Sequence, residues 1–96
     1  MHAAAVRLEL RIPDGRSLKA KRRVLKALLA QLSQAFGVAV SEVGFQDQWK
    51  RATIGVAVVA PQSSQLERIV HSIHRAVLER PEVELLEIGI AYLEES

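Results

Sequence analysis

Val6, Leu8, Leu10 and Ile12 alternate with Arg7, Glu9 and Arg11 near the start of the chain. A period of two predicts a half-buried strand with one apolar and one charged face. Pro13-Asp14-Gly15 is turn chemistry. Ser17 then offers an N-cap oxygen, and the period lengthens. Leu18, Leu25, Leu28, Leu29, Leu32 and Phe36 fall on one stripe of a helix, and Gly37 stands where a left-handed residue would close it. Val38, Val40 and Val43 predict a short second strand, residues 44–50 a loop, and Ala52, Ile54, Val56 and Val58 a third strand. Residues 38–60 therefore read as a hairpin with a wide tip. Ser63 or Ser64 is expected to cap a second helix whose stripe is Leu66, Ile69, Val70, Ile73 and Val77, stopped by Arg80-Pro81. The last strand, about residues 82–93, changes phase. Val83 and Leu85 share one face, while Leu86, Ile88, Ile90 and Tyr92 share the other. Either a bulge near Leu85–Leu86 or pairing that starts only at Leu86 accounts for the slip.

The order β-α-β-β-α-β is the split βαβ motif. Right-handed crossovers place the third strand between the first and second, and the fourth outside the first. The predicted fold is α+β: a ferredoxin-like sandwich with a four-stranded antiparallel sheet in order 4-1-3-2 and both helices on one face. Residues 1–96 form a single domain in this reading.

Composition narrows the chemistry. The chain lacks cysteine, which excludes disulfides, iron–sulfur clusters, thiol catalysis and Cys-x-x-Cys metal carriage. It also lacks asparagine. That pairing leans toward a thermophile, against which stand the glutamines. Apolar runs fall short of a membrane span, and the N-terminus lacks the layout of a signal peptide, so a cytoplasmic protein is expected. Charge is distributed unevenly: residues 1–51 hold ten Lys and Arg against four acids, and residues 52–96 hold three against seven. An anionic partner explains this polarity, and so does attraction between the two halves of the fold.

Acylphosphatase-type hydrolysis calls for an arginine in a phosphate-cradling loop and an asparagine to orient water. Arg16 beside Gly15 meets the first need, and nothing meets the second. Base stacking on the open sheet face, as in RNA recognition motifs, calls for aromatics there. The first strand offers Arg7, Glu9 and Arg11 and the third Thr53, Gly55, Ala57 and Val59. The small, apolar part of that face, Gly55 and Ala57, suits packing against a second copy instead. Glu67, His71 and His74 share one flank of the second helix, but three side chains on one face rarely close a metal site. No metal, cofactor, nucleophile–base pair or enzymatic activity is expected.

One segment resists a structural explanation. Lys19, Arg22, Arg23 and Lys26 cluster on the outward face at the start of the first helix, with Arg16 just ahead. Cations are unfavourable at the positive end of a helix dipole, whereas a bound anion reverses the sign. Pairing with Glu9, Asp14 or the acidic C-terminal half is the competing account. Lys21 differs from its neighbours, because its spacing from Leu18 and Leu25 turns it toward the sheet, to snorkel or to meet an acid. The hairpin tip, Phe45 to Arg51, brings the single tryptophan, Trp49, beside Lys50 and Arg51. Phe45 and Trp49 suit an interface. Alternatively, Trp49 folds back over the open sheet and Asp47 makes an Asx turn.

Leu8-Glu9-Leu10, the run from Ser17 to Arg23, and the run from Asp47 to Gly55 resemble the YlxP-like family of small bacterial proteins, a domain of unknown function. The resemblance covers essentially the whole chain. It implies a ferredoxin-like fold, a bacterial cytoplasmic setting and, from neighbouring genes for transcription and translation factors, a connection with RNA or the ribosome. It carries over no catalytic residues. Family members commonly have Glu where this chain has Ala20, so the basic run here is less neutralised. The expected function is a non-catalytic module contacting RNA or a ribonucleoprotein through Arg16, Lys19, Arg22, Arg23 and Lys26, assisted by Lys50 and Arg51. The alternative is a homo-oligomeric or protein-interaction module packed through the open sheet face.

Overall fold

A computed structural model describes residues 1–95. Its elements run β1 (His2–Arg11), α1 (Leu18–Phe36), β2 (Ala39–Gly44), β3 (Arg51–Ala60), α2 (Ser63–Leu78) and β4 (Glu84–Glu94). The strands form one antiparallel sheet in the order β2-β3-β1-β4, the order expected from right-handed crossovers. Alternation decides the faces. Ala4, Val6, Leu8, Leu10 and Ile12 of β1 and its extension, with Ala52, Ile54, Val56, Val58 and Ala60 of β3, are buried beneath the helices. Leu25, Leu28 and Leu32 of α1 and Leu66, Val70, Ile73 and Val77 of α2 close the core from the other side.

The ends of α1 follow from single residues. Ser17 is extended, and its hydroxyl accepts the Ala20 N–H at 3.0 Å, satisfying one of the orphan amides of the first turn. Gly37 takes φ 61°, and its N–H donates to the Ser33 carbonyl at 2.9 Å; a side chain there would meet left-handed strain. The serine cap expected for α2 is not made. Gln62 occupies the cap position without a side-chain bond, and Ser63 is already helical. The Leu66 N–H instead starts the ladder on the Gln62 carbonyl at 3.1 Å.

Two register shifts adjust the sheet. Opposite Glu9 and Leu10, β4 contributes Glu87 and Leu85, leaving Leu86 as the extra residue. This is the bulge that the change of phase announced, and it returns Leu85 to the core side while Leu86 stays exposed. The second shift lies in β2, which contains Val40 and Val43 as expected. Glu42 pairs with Ile54 and Gly44 with Thr53, so Val43 is left over. Val43 is 59% exposed and lies across Gly55 on the open face. Three residues after Val40, it falls on the opposite face by simple alternation, and Glu42 takes the inward position.

Candidate functional site

The start of α1 and the hairpin tip meet at one end of the sheet. The Ile12 N–H donates to the Lys50 carbonyl at 2.9 Å. Gly15 lies against the Trp49 carbonyl so closely that a Cβ would come within 2.2 Å of its oxygen. Lys21 makes the third link. It is 1% exposed, and its ammonium donates to the Phe45 carbonyl at 2.6 Å and lies 2.8 Å from a Glu42 carboxylate oxygen. That oxygen meets the ammonium as an ion pair without hydrogen-bond alignment, so the directed bond is the one to Phe45. Lys21 thus meets an acid, one of the two outcomes its spacing allowed. Its partner was not foreseen, although a glutamate in phase with Val40 on a short strand was the available signal.

Phe45 is the one non-glycine residue with positive φ among the described residues, at 58°. Its carbonyl accepts both the Lys21 ammonium and the Gln48 N–H, the latter at 3.0 Å. The tight turn is therefore closed by backbone rather than by Asp47, for which no side-chain hydrogen bond occurs among the described residues. A residue held in this sparsely populated region needs surroundings that hold it there, and Lys21 provides them. Arg51 stacks its guanidinium 4.5 Å from the centre of the Phe45 ring, an arrangement that occupies part of its charge. Trp49 is half-exposed.

The basic face itself is unneutralised. Arg16, Lys19, Arg22, Arg23 and Lys26 are all exposed, and among the described residues none is ion-paired. Several acids are engaged elsewhere, and Asp14, two residues ahead of Arg16, is exposed and makes no ion pair among the described residues. Glu9 meets Arg7 at 3.3 Å and accepts from the Thr53 hydroxyl. Glu87 faces Arg7 at 3.8 Å, Glu84 holds Arg11 at 2.5 Å, and Glu82 holds Arg80 at 2.8 Å. No acidic residue lies in the first turn of α1. The site thus gathers Arg16, Lys19, Arg22, Arg23 and Lys26 on the helix with Lys50 on the adjoining tip. Arg51 is drawn into the structure of that tip.

Gly55 and Ala57 lie elsewhere, in the floor of an apolar trough of about 750 Å³ on the open sheet face. Ala5, Ala39, Gly89 and Ala91 continue the floor, and Val43 and Arg7 border it. Glu67, His71 and His74 flank a smaller depression between α2 and β4 with Ile90 and Tyr92. No group of three His, Asp or Glu side chains converges as a metal site among the described residues, and no helix there is long and apolar enough to cross a membrane.

Comparison with known proteins places the chain. It is 38% identical over 73 residues to the uncharacterized protein YlxP of Bacillus subtilis (strain 168), covering 76% of this chain and 79% of the relative. The family model described as "Protein of unknown function (DUF503)" matches residues 3–90, and the chain belongs to that family.

Proposed function

We propose that this protein is a non-catalytic binding module, built on a sandwich of the ferredoxin-like type, that holds RNA or a ribonucleoprotein by its phosphates through the exposed start of α1. The observation that carries this reading is the set of unpaired cations at the positive end of a helix dipole, without an acid in the first turn. Such a face is mildly unfavourable by itself, and phosphate oxygens supply what it lacks. Lys50 adds a cation beside the helix, and Trp49 adds an aromatic surface for an unstacked base. Phosphate contacts fix position without reading sequence, so recognition follows the shape of the RNA.

Titration of a structured RNA against increasing salt tests this. About five phosphate contacts give a log–log slope of about −4. The double substitution Arg22→Glu with Arg23→Glu lowers affinity by at least about tenfold and leaves the circular dichroism unchanged, because both side chains are exposed. Trp49 serves as an intrinsic fluorescent reporter of binding. Equal affinity in the doubly reversed variant excludes this role for α1.

The apolar trough supports a second reading, in which two copies or a partner protein pack on the open sheet face. Its floor of alanine and glycine is apolar, and Val43 and Val59 stand 59% and 66% exposed on that face. Ala57→Asp introduces a charge there without touching the core, and this reading expects loss of association on a sizing column. A self-associated species that tolerates Ala57→Asp rules it out.

A further inference from the structure

The two edges of the sheet are protected unequally. β2 is short, its ladder is interrupted at Val43, and it turns Glu42 inward onto Lys21. Shortness, a bulge and an inward charge all discourage pairing with another chain. From Glu87 to Glu94, β4 has none of these devices. Its ladder to β1 is unbroken there, the segment contains no proline, lysine or arginine, and apolar side chains are exposed on both faces. Ile90 and Tyr92 are 41% and 58% exposed on the helix side, and Leu93 is 62% exposed on the other.

The backbone shows which groups of this edge are free. Ile12 bonds toward β3 through Lys50, whereas Met1 and Glu95 exchange both backbone bonds, at 3.2 and 3.0 Å. In an antiparallel ladder these directions alternate. Even-numbered residues of β1 therefore bond to β3 and odd-numbered ones to β4. It follows that Gly89, Ala91 and Leu93 direct their N–H and C=O groups toward β1. The same groups of Ile88, Ile90 and Tyr92 point away from the sheet.

We propose that β4 is a self-association edge, at which two copies pair antiparallel about a two-fold axis through Ile90 and join their sheets. An axis normal to the sheet must fall on a residue, and the acids and the Leu86 bulge select among the central ones. Centred on Ala91, the pairing sets Glu87 against Glu95; centred on Gly89, it runs Tyr92 into the bulged Leu86. Centred on Ile90, it sets Ile90 against its own copy, Ile88 against Tyr92 and Glu87 against Leu93, so no two acids oppose. This register uses the free groups of Ile88, Ile90 and Tyr92 in about six new hydrogen bonds. It also covers the exposed side chains with β-branched and aromatic cross-strand pairs.

Light scattering on the eluting protein tests the edge. The intact chain has twice the 10.6 kDa mass of one copy, and Ile90→Pro halves it. The Ile90 N–H points away from β1, so proline removes no bond of the β1 ladder while its ring blocks the edge. If Ile90→Pro does not fold, Ile90→Lys, which sets a charge against its own copy, is read the same way. A monomeric intact chain at high micromolar concentration overturns the proposal. So does a dimer that survives the folded Ile90 variant, including one that is lost only in Ala57→Asp.

Discussion

Lys21→Ala is expected to lower the stability of the domain by about 3–5 kcal/mol, a fall in melting temperature of roughly 15–30 °C for a chain of this size. The magnitude follows from what is left behind. Lys21 is 1% exposed, and its removal strands the Glu42 carboxylate, 21% exposed, against the helix layer. It also removes the donor that holds the carbonyl of Phe45, the residue with φ 58°. The companion measurement separates these effects. Replacing both partners, Lys21→Met with Glu42→Leu, leaves no unpaired buried charge, so the double variant should be more stable than Lys21→Ala. What it still lacks is the bond to Phe45, and its hairpin tip should exchange amide hydrogens faster than in the parent. A Lys21→Ala variant that unfolds within about 0.5 kcal/mol of the parent, the range of ordinary surface changes, would falsify this account of the tip.

Gly15→Ala is expected to be nearly as damaging, for a steric reason. The added Cβ would lie 2.2 Å from the Trp49 oxygen, 3.0 Å from its carbonyl carbon and 3.2 Å from the Ile12 oxygen. All three are backbone atoms, so no side-chain rotation relieves the clash. The tip must move away from the loop that feeds α1, weakening the 2.9 Å bond between Ile12 and Lys50. Overpacking of this kind costs about 2–3 kcal/mol. Urea unfolding reads the loss, and Trp49 emission reads the displacement in the folded protein. A variant with parental stability and unchanged emission shows that the loop and tip are not tightly docked. RNA affinity gives an independent readout: the proposed binding weakens in Gly15→Ala through loss of Lys50 and Trp49 from beside the helix, although every cation is retained.

The two substitutions locate the boundary between local and tertiary information. Ser17 and Gly37 mark the ends of α1 in the sequence because capping is a local event, settled within a few residues of backbone. The slip between Leu85 and Leu86 likewise marks an irregularity in β4, and pairing of Leu85 with Leu10 decides for a bulge over a later start of the strand. Val43 follows the period of two: three residues beyond Val40 it falls on the opposite face and stands exposed, while Glu42 takes the inward position. The cap of α2 misleads because Ser63, Ser64 and Gln62 are adjacent, and the fold places the cap one residue before the serines.

For the site, the cations were legible and their freedom was not. Helical spacing puts Lys19, Arg22, Arg23 and Lys26 on an outward face, but apart from Glu9 and Asp14 the acids able to neutralise them are distant in sequence. Glu9 and Glu82 pair with Arg7 and Arg80 two residues away, whereas Glu87 and Glu84 engage Arg7 and Arg11 across the β1–β4 register. The same holds for Lys21 and Glu42, whose phases each point inward without indicating that they meet.

The sequence by itself determined the element order, the strand order and the apolar face of each element, because periodicity and handed crossovers are properties of the chain. It also determined that the start of α1 carries more positive charge than a helix start favours. Only the tertiary structure decided that this charge stands unpaired, that a buried lysine fastens the hairpin tip to it, and that β4 rather than β2 presents the open edge. Those outcomes depend on which side chains come within a few ångströms across long sequence separations, and that distance is set by packing.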